Sequence, residues 1–324
     1  MYPTPGLERW LWSALLLLLS LSTWAGSPDL ESDSPAPPVK EPSPSSPTSA
    51  SPPEPLLWRV HAPDSEHVVY LFGSLHFGDD SFFPLPDKVL EAYRASEVLA
   101  VELDLTQTDT ETLRATLART GRYPSHVQIA ERIGPELWEQ LTQASQRLGL
   151  EKEFFVHVRP WLAALQLVNM QVIRSDYLAG QGVDRYFLDM AKGEKRIEPL
   201  ETVDQQLRLF AGMDEVEQRA FLAHTLNDLE ATGPQLRRMA RAWREGRRED
   251  LEAVILGAFA ADDPFTQELY RKIFKTRNDS MMEAVKGYLK TRQPVFFVVG
   301  IGHLIGPDGL VDGLRHGGYR VERL

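Results

Sequence analysis

Two copies of the pattern Gly-x-x-His lie near opposite ends of the globular part of this chain, and each follows an apolar run typical of a β-strand. The first copy follows residues 68–72 and ends at His76, and the second follows residues 295–299 and ends at His303. Glycine lets the backbone bend tightly at a strand end, which is where open α/β sheets place reactive groups. Both histidines are therefore candidates for a general base near neutral pH or for metal ligands. The alternative for each is an imidazole that is hydrogen-bonded within its own turn.

A carboxylate follows a third apolar run, residues 98–101, and we expect the strand to continue through Asp104. Burying Glu102 beside this run is costly unless the carboxylate is paired, coordinates a metal or lies at the open edge of the sheet. Asp104 would share its face, because side chains two residues apart on a strand point the same way. Two imidazoles and one carboxylate suit Zn, Mn, Fe or Co with a bound, activated water. The alternative is that both carboxylates simply emerge into solvent.

Several other chemistries find little support in the sequence. The absence of cysteine excludes thiol catalysis, thiolate metal sites and disulfides. The glycine-rich residues 300–306 have neither the order of a dinucleotide-binding loop nor a Walker lysine, so we reject nucleotide binding. No serine lies in a Gly-x-Ser-x-Gly elbow, and Ser74 beside His76 is only a minor candidate for a nucleophile.

The surrounding elements predict an α/β fold with a mixed, mainly parallel sheet. Residues 57–61 and 67–72 predict a hairpin, and the strand at 98–104 follows a helix at 88–95. The long middle, residues 109–278, is largely helical in its apolar periodicity, apart from a short strand at 196–201. The strand at 295–299, a helix at 308–316 and a strand at 319–324 then repeat the order strand, Gly-x-x-His, helix, strand. The sheet is therefore expected to form from the two ends of the chain, with a helical region between them.

Composition and the N-terminus predict the partners and the compartment. The 324 residues carry a net charge of −11, which argues against nucleic acid as a partner. Residues 1–25 have the layout of a signal peptide, with a Leu-rich run followed by small residues, so we expect an exported protein, periplasmic or secreted. If this segment is not cleaved, it is a possible membrane tether. Residues 26–55 are rich in Pro and Ser and predict a disordered linker, which leaves residues 56–324 as one domain.

The motifs at the two ends resemble those of the TraB/GumN family, whose animal relatives are the Tiki metalloproteases. The resemblance extends over residues 56–324, and the following segments carry it: 71–76, 101–104, 298–310 and 318–324, with 159–161, 182–184, 200–202, Gln205 and 277–278 in the middle. It implies an α/β fold of the erythromycin-esterase/ChaN-like kind. It also implies an active site built from His76, Glu102 and His303.

Other functional expectations rest on the same resemblance. It implies a divalent metal held by the two histidines and Glu102, with Mn or Co favoured over Zn. Glu201, Arg277 and Asn278 match positions where the family places polar residues, so they are secondary site candidates. Their alternative role is ordinary polarity at a strand end and on a helix surface.

We therefore predict an exported metal-dependent hydrolase, a Tiki-like peptidase that uses metal-activated water and acts on a peptide or small-molecule substrate. In this hypothesis Arg277 stabilises the developing oxyanion. Two alternatives stay open. One is a metal-independent, His-based hydrolase of the erythromycin-esterase type, and the other is a non-enzymatic periplasmic protein that binds haem or another ligand.

Overall fold

The computed structural model describes residues 55–63, 65–104, 106, 110–175, 177–178, 181–260 and 263–324. The predicted signal peptide, residues 1–25, and all of the predicted linker except Pro55 lie outside these ranges. Within them, no helix is both long enough and apolar enough to cross a membrane.

Six strands form one mixed sheet in the order β4-β3-β5-β2-β1-β6. Four neighbouring strands, β4, β3, β5 and β2, run parallel, and β1 is antiparallel to both β2 and β6. The mainly parallel sheet predicted from the sequence is confirmed. The strands are β1 (Leu57–His61), β2 (Val68–Ser74), β3 (Val98–Val101), β4 (Arg196–Pro199), β5 (Val295–Gly300) and β6 (Arg320–Arg323).

The predicted helical middle is also confirmed. Thirteen α-helices occur in the described residues, and most of them lie between β3 and β5. They are α1 (Asp87–Arg94), α2 (Thr110–Gly121), α3 (Ile129–Ile133), α4 (Pro135–Arg147), α5 (Pro160–Arg174), α6 (Val183–Ala191), α7 (Val203–Ala211), α8 (Glu215–Asp228), α9 (Thr232–Arg244), α10 (Arg248–Ile255), α11 (Pro264–Tyr270), α12 (Thr276–Tyr288) and α13 (Leu310–His316). Shorter 3-10 turns are Asp80–Phe82, Lys152–Phe155, Leu229–Ala231, Gly257–Phe259 and Ile301–His303, and a π-helical turn, Arg271–Lys275, joins α11 to α12.

Strand β5 forms the centre of the core, and all six of its residues are buried. On one face of the sheet Phe296 packs 4.9 Å from Phe187 of α6, and Phe72 of β2 lies 5.7 Å from the same ring. On the other face Phe297 contacts Tyr288 of α12. Helices thus cover both faces, which explains why β5 is continuously apolar rather than alternating.

The parallel strands bring four strand ends to one edge of the sheet. Strands β2 and β3 are consecutive in the chain, but β5 lies between them in the sheet, so the strand order changes at this place. In open α/β sheets such an edge forms the crevice where ligands bind. The sequence motifs that follow β2, β3, β4 and β5 all lie at this edge.

Strand β3 is shorter than the sequence predicts, since it ends at Val101 rather than at Asp104. Glu102 and Asp104 therefore do not share a strand face. The side chain of Asp104 instead accepts a hydrogen bond from the backbone N–H of Thr106, at 3.0 Å. The prediction from strand periodicity that Asp104 lies on the same strand face as Glu102 is therefore wrong.

Candidate functional site

Four of the predicted site residues come together at the carboxyl edge of the sheet. His76 follows β2, Glu102 follows β3, Glu201 follows β4 and His303 ends the turn after β5. The exposed fractions of His303, Glu102 and His76 are 0%, 5% and 7%, so the site is deeply buried. Burial of this kind removes competing water and strengthens each electrostatic interaction.

Glu102 lies at the centre of the site. Its Oε1 accepts a hydrogen bond from the backbone N–H of Gly300 at 2.6 Å, and its Oε2 accepts one from Nη2 of Arg277 at 2.7 Å. Burial opposes ionisation of this carboxyl, but His303, Arg277 and His76 together hold its pKa well below the usual range. Glu102 is therefore a carboxylate at neutral pH, and its acceptor atoms are fixed in place.

Arg277 joins two carboxylates. Besides Glu102, it binds Glu201, whose Oε1 accepts a hydrogen bond from Nε of Arg277 at 2.7 Å. Its Nη1 donates to the carbonyl oxygen of Ile273, inside the π-helical turn that precedes α12. Burial would lower the pKa of Arg277, but Glu102 and Glu201 raise it, so the guanidinium stays charged. Because these three contacts engage most of its donors, Arg277 fixes the two carboxylates in position.

His76 lies between two acidic side chains. Its Nε2 is 3.6 Å from Oε1 of Glu102, and its Nδ1 is 3.2 Å from Oδ2 of Asp184, near the start of α6. Neither nitrogen has hydrogen-bond geometry toward a described partner, so these are contacts between charges. Burial would lower the pKa of His76, but Asp184 and Glu102 outweigh it and raise the pKa to about 10.

His303 has the opposite charge state. Its Nδ1 lies 2.6 Å from Oδ1 of Asn278, and Nδ2 of Asn278 donates to the carbonyl oxygen of Asp308 at 2.8 Å. The Asp308 carbonyl fixes the orientation of the Asn278 amide, so Oδ1 is the acceptor and the proton of His303 lies on Nδ1. Burial, and secondarily Arg277, lower the pKa of His303 to about 3. Its Nε2 therefore carries a lone pair, has no described partner and lies 3.8 Å from Oε1 of Glu102.

A tryptophan side chain forms a hydrogen bond to the backbone of the first histidine motif. Nε1 of Trp243, on α9, donates a hydrogen bond to the carbonyl oxygen of Gly73 at 2.7 Å. Ser74, the minor candidate for a nucleophile, is fully buried. Its Oγ has no hydrogen-bond partner in the described part of the chain, so no base activates it there.

Sequence reasoning gave no role to Asp184, Gln206 or Trp243, which all contact the site. Asp184 belongs to one of the segments that carry the family resemblance, and this membership was the one sequence signal that could have identified it as a site residue. Gln206 donates to Glu201 at 3.0 Å and approaches Glu102, but nothing in its local sequence distinguishes it from a polar helix residue. Asn278, by contrast, is a predicted site residue and contacts His303 directly.

The donor atoms at the site are of the kind that divalent metals bind. Nε2 of His76 and Nε2 of His303 are buried, have no hydrogen-bond partner within the described part of the chain and face the same oxygen of Glu102. Imidazole nitrogen with one carboxylate is a usual ligand set for Zn, Mn, Fe or Co. Across the described ranges, however, no three His, Asp or Glu residues are arranged so that they could hold a metal ion. The chemistry of the donors fits a metal, while their present spacing does not form a complete ligand cage.

A cleft of about 560 Å³ opens beside the site. It shares Glu201 with the buried cluster and runs along β4. The full set of lining residues is Leu103, Asp104, Thr106, Lys192, Gly193, Lys195, Ile197, Pro199, Glu201, Thr202 and Val203. This cleft is a candidate route between solvent and the cluster.

Comparisons with known proteins identify the family of this chain. The chain is 26% identical over 259 residues to YbaP of Escherichia coli (strain K12), an uncharacterized protein, and the match covers 79% of this chain and 90% of that one. YbaP of Shigella flexneri, also uncharacterized, matches over the same lengths with the same identity. No solved structure matches the chain. The family model of the TraB/PrgY/gumN family matches residues 56–323, which include both histidine motifs and every residue of the buried cluster. The chain therefore belongs to the TraB/PrgY/gumN family.

Proposed function

We propose that the protein is a metal-dependent hydrolase, specifically a peptidase, and that His76, Glu102 and His303 hold its divalent ion. The main supporting observation is that Nε2 of each histidine is buried, has no hydrogen-bond partner among the described residues and lies within 3.6 to 3.8 Å of one oxygen of Glu102. Each imidazole also has an oxygen near its Nδ1, from Asp184 or from Asn278. Metal-binding histidines commonly have such a partner, because it fixes the tautomer and the direction of the other nitrogen.

The charges at the site support a divalent cation. Glu102 and Glu201 bind the guanidinium of Arg277, Asp184 contacts His76, and Arg277 is the one permanent cation among these residues. With both imidazoles neutral, this leaves two negative charges in a buried site. In the absence of metal, protonation of His76, with its pKa of about 10, offsets part of this charge. A divalent ion would replace that proton, so its binding should release a proton to the solvent.

A metal-independent mechanism would require an imidazole that is a good base near neutral pH. A general base acts best when its pKa is close to the working pH. His76, with a pKa of about 10, is already protonated there, and His303, with a pKa of about 3, is too weak a base. These charge states favour the metal-dependent proposal over the His-based alternative. No specific observation favours the haem-binding alternative, which stays a prediction.

When bound, the metal would supply a water of lowered pKa as the nucleophile. Hydrolysis of an amide adds the oxygen of water to the carbonyl carbon, breaks the carbon–nitrogen bond and delivers a proton to the leaving amine. In this proposal Asn278 and Asp184 orient the two imidazoles, and Arg277 fixes Glu102 against Gly300. Because Arg277 is engaged by Glu102 and Glu201, we assign it positioning of the carboxylates in place of the oxyanion role expected from the sequence.

The test is a calorimetric titration of Mn²⁺, Co²⁺ and Zn²⁺ into metal-free protein. We expect stoichiometric binding to the wild type, with tighter binding of Mn²⁺ or Co²⁺, and loss of binding in the double variant His76→Ala/His303→Ala. The matched control is His126→Ala/His316→Ala, which removes two exposed histidines and should bind like the wild type. Absence of binding to the wild type, or equal binding to the site variant, would overturn the metal proposal.

Activity is tested with the oxidised insulin B chain, an unfolded polypeptide. Cleavage should require the added metal and should stop in EDTA. Cleavage that continues in EDTA would instead support the metal-independent alternative.

We also propose that the protein is exported, on the strength of the signal-like residues 1–25. The full chain with a C-terminal tag, expressed in a Gram-negative host, should be recovered in the periplasm. N-terminal sequencing of the product then separates cleavage after residue 25 from retention of the segment as a membrane tether. Recovery in the cytoplasm with an intact N-terminus would contradict export.

A further inference from the structure

The carbonyl oxygen of Asp308 influences which tautomer of His303 is stable. It accepts a hydrogen bond from Nδ2 of Asn278, so the amide presents Oδ1 to the imidazole. A flipped amide would present its NH2 group instead. Nδ1 of His303 would then have to accept a hydrogen bond, and the ring proton would move to Nε2. Because a protonated Nε2 cannot bind a metal, the position of the Asp308 carbonyl matters for the ligand set proposed above.

The side chain of Asp308 is held by two residues that precede Asn278 in the chain. Its Oδ2 accepts a hydrogen bond from the hydroxyl of Tyr270 at 2.9 Å, and its Oδ1 lies 3.4 Å from Nζ of Lys275. Tyr270 ends α11, Lys275 ends the π-helical turn, and Asn278 lies in the first turn of α12. One continuous helical segment therefore contacts both the carboxylate and the carbonyl of Asp308.

Of these two contacts to the carboxylate, the one from Tyr270 is better placed to fix it. Lys275 and Asp308 meet at the surface, where ion pairs contribute little. Tyr270 is half-buried, and its ring packs 5.7 Å from the ring of Phe274. Burial, and secondarily Asp308, raise the pKa of Tyr270, so its hydroxyl keeps its proton and donates throughout the neutral range.

Aromatic packing connects the same helical segment to the ring of His303. Phe274, in the π-helical turn, lies 5.4 Å from that imidazole. A Cβ at Gly302 would lie 2.7 Å from Cε1 of Phe274, so this ring packs tightly against the turn that contains His303. These ring contacts do not involve the hydroxyl of Tyr270. Removal of the hydroxyl alone should therefore leave them in place.

We propose that Tyr270 is a positioning residue for His303, and that its hydroxyl acts through Asp308 and Asn278. The hydroxyl fixes the carboxylate of Asp308, which holds the Asp308 carbonyl against the Asn278 amide. The amide in turn keeps the proton of His303 on Nδ1. This inference rests on the proposed function, because it concerns the lone pair that His303 offers to the metal. Partners that orient a metal-binding imidazole from outside commonly affect metal affinity.

The experiment compares two tyrosines in similar surroundings. Tyr270→Phe removes the hydroxyl and keeps the ring. Tyr288→Phe is the matched control, because Tyr288 is also half-buried and also donates to a carboxylate, that of Glu198, at the other end of α12. Nitrogen-15 NMR of the full chain in EDTA should show a mixture of His303 tautomers in Tyr270→Phe and the single Nδ1–H form in Tyr288→Phe. A merely structural hydrogen bond would lower the stability of both variants without changing the tautomer.

Metal affinity and a double-variant cycle test the route through Asp308. Calorimetry with Co²⁺ should show binding about two- to tenfold weaker in Tyr270→Phe, the range expected for one net hydrogen bond, and unchanged in Tyr288→Phe. Asp308→Asn keeps an acceptor for the hydroxyl and should retain the wild-type tautomer, whereas Asp308→Ala should give the mixture. Tyr270→Phe combined with Asp308→Ala should have no larger effect than Asp308→Ala alone, because both changes break the same contact.

A single Nδ1–H form in Tyr270→Phe would overturn the proposal. So would effects of Tyr270→Phe and Asp308→Ala that add in the double variant, since the hydroxyl would then act by another route. The NMR readout needs no metal, so the two proposals can fail separately. A tautomer that responds in a protein that binds no metal would support the positioning role and contradict the proposed function. Metal binding with an unresponsive tautomer would do the reverse.

Discussion

The guanidinium of Arg277 lies 2.7 Å from Oε2 of Glu102, and the side chains of both residues are 5% exposed. The two residues are 175 positions apart in the chain, so only the folded sheet and α12 bring them together. Glu201 shares the same guanidinium. The two glutamates are therefore paired with one permanent cation. Its removal would leave, among the described site residues, the imidazolium of His76 as the charged partner of Glu102 and the amide of Gln206 as a neutral partner of Glu201.

Arg277→Met should lower the free energy of unfolding by about 3 to 5 kcal/mol, because breaking a buried ion pair leaves an unpaired buried charge. Urea unfolding measures the change. Arg277→Met combined with Glu102→Gln should be less destabilised than the single variant, since fewer carboxylates remain uncompensated. The matched control is Arg196→Met, which breaks the surface pair with Glu198 and should cost about 0 to 1 kcal/mol. Equal costs for the two single variants would contradict the buried cluster.

Asn278→Ala should allow His303 to adopt both of its neutral tautomers. In the wild type the ring proton lies on Nδ1, which donates to Oδ1 of Asn278. Nitrogen-15 NMR of the imidazole should report a single Nδ1–H form in the wild type and a mixture in the variant. Metal affinity should fall about 10- to 100-fold, as it does when such partners are removed elsewhere. Asn227→Ala, on the exposed side of α8, is the control, and an unchanged tautomer in Asn278→Ala would refute the assignment.

Trp243→Phe should be more destabilising than Trp161→Phe by roughly 1 to 2 kcal/mol. Both changes shrink a buried indole to a phenyl ring, but only Trp243 donates a hydrogen bond, to the carbonyl oxygen of Gly73. Nε1 of Trp161 has no hydrogen-bond partner in the described ranges. The difference between the two variants in urea unfolding therefore isolates the bond beneath the first histidine motif, and similar costs would show that it contributes little.

Gly182→Ala should displace His76, because there is no room for the added Cβ. A Cβ at Gly182 would lie 2.7 Å from the carbonyl carbon of His76 and 2.7 Å from Oδ1 of Asp184, so the backbone must shift. We expect a loss of stability of about 1 to 3 kcal/mol, typical of overpacking, together with weaker metal binding. Gly287→Ala is the control. It lies in α12, where no neighbouring atom of the described residues comes within 4 Å of the added Cβ, so the change should raise stability by about 0.5 to 1 kcal/mol.

The two histidines should give the metal-free protein a stability maximum near pH 6.5, their ordinary pKa. The folded pKa of His303 is lowered to about 3, so its contribution is present above pH 6.5 and is lost as the pH falls toward 3. The folded pKa of His76 is raised to about 10, so its contribution is present below pH 6.5 and is lost as the pH rises through 10.

Urea unfolding in EDTA across this pH range measures the profile. His76→Asn should flatten the alkaline side, because the group with the raised pKa is gone, and should leave the acidic side in place. A wild-type stability that falls in only one direction from pH 6.5 would contradict the opposite charge states of the two imidazoles.

Much of the fold was predictable from local sequence. The apolar runs gave β1 and β5 with correct or nearly correct bounds, and helical periodicity gave α5, α6 and α8. Hydrophobic periodicity repeats every two residues in a strand and about every 3.6 in a helix, so it is visible within a short window. The end of β3 was predicted too late because Leu103 continues an alternating apolar pattern after Glu102, and sequence periodicity does not show where the ladder with β4 and β5 stops.

The sequence by itself determined that two histidines and a glutamate follow strands, and the family resemblance pointed to Glu201, Arg277 and Asn278. Only the tertiary structure decided that Arg277 engages the two carboxylates, that Asp184 faces His76, and that the two imidazoles have opposite charge states. The physical reason is that burial and ion pairing depend on atoms that are distant in sequence. The insertion of β5 between β3 and β2 sets those distances, and no local pattern encodes that strand order.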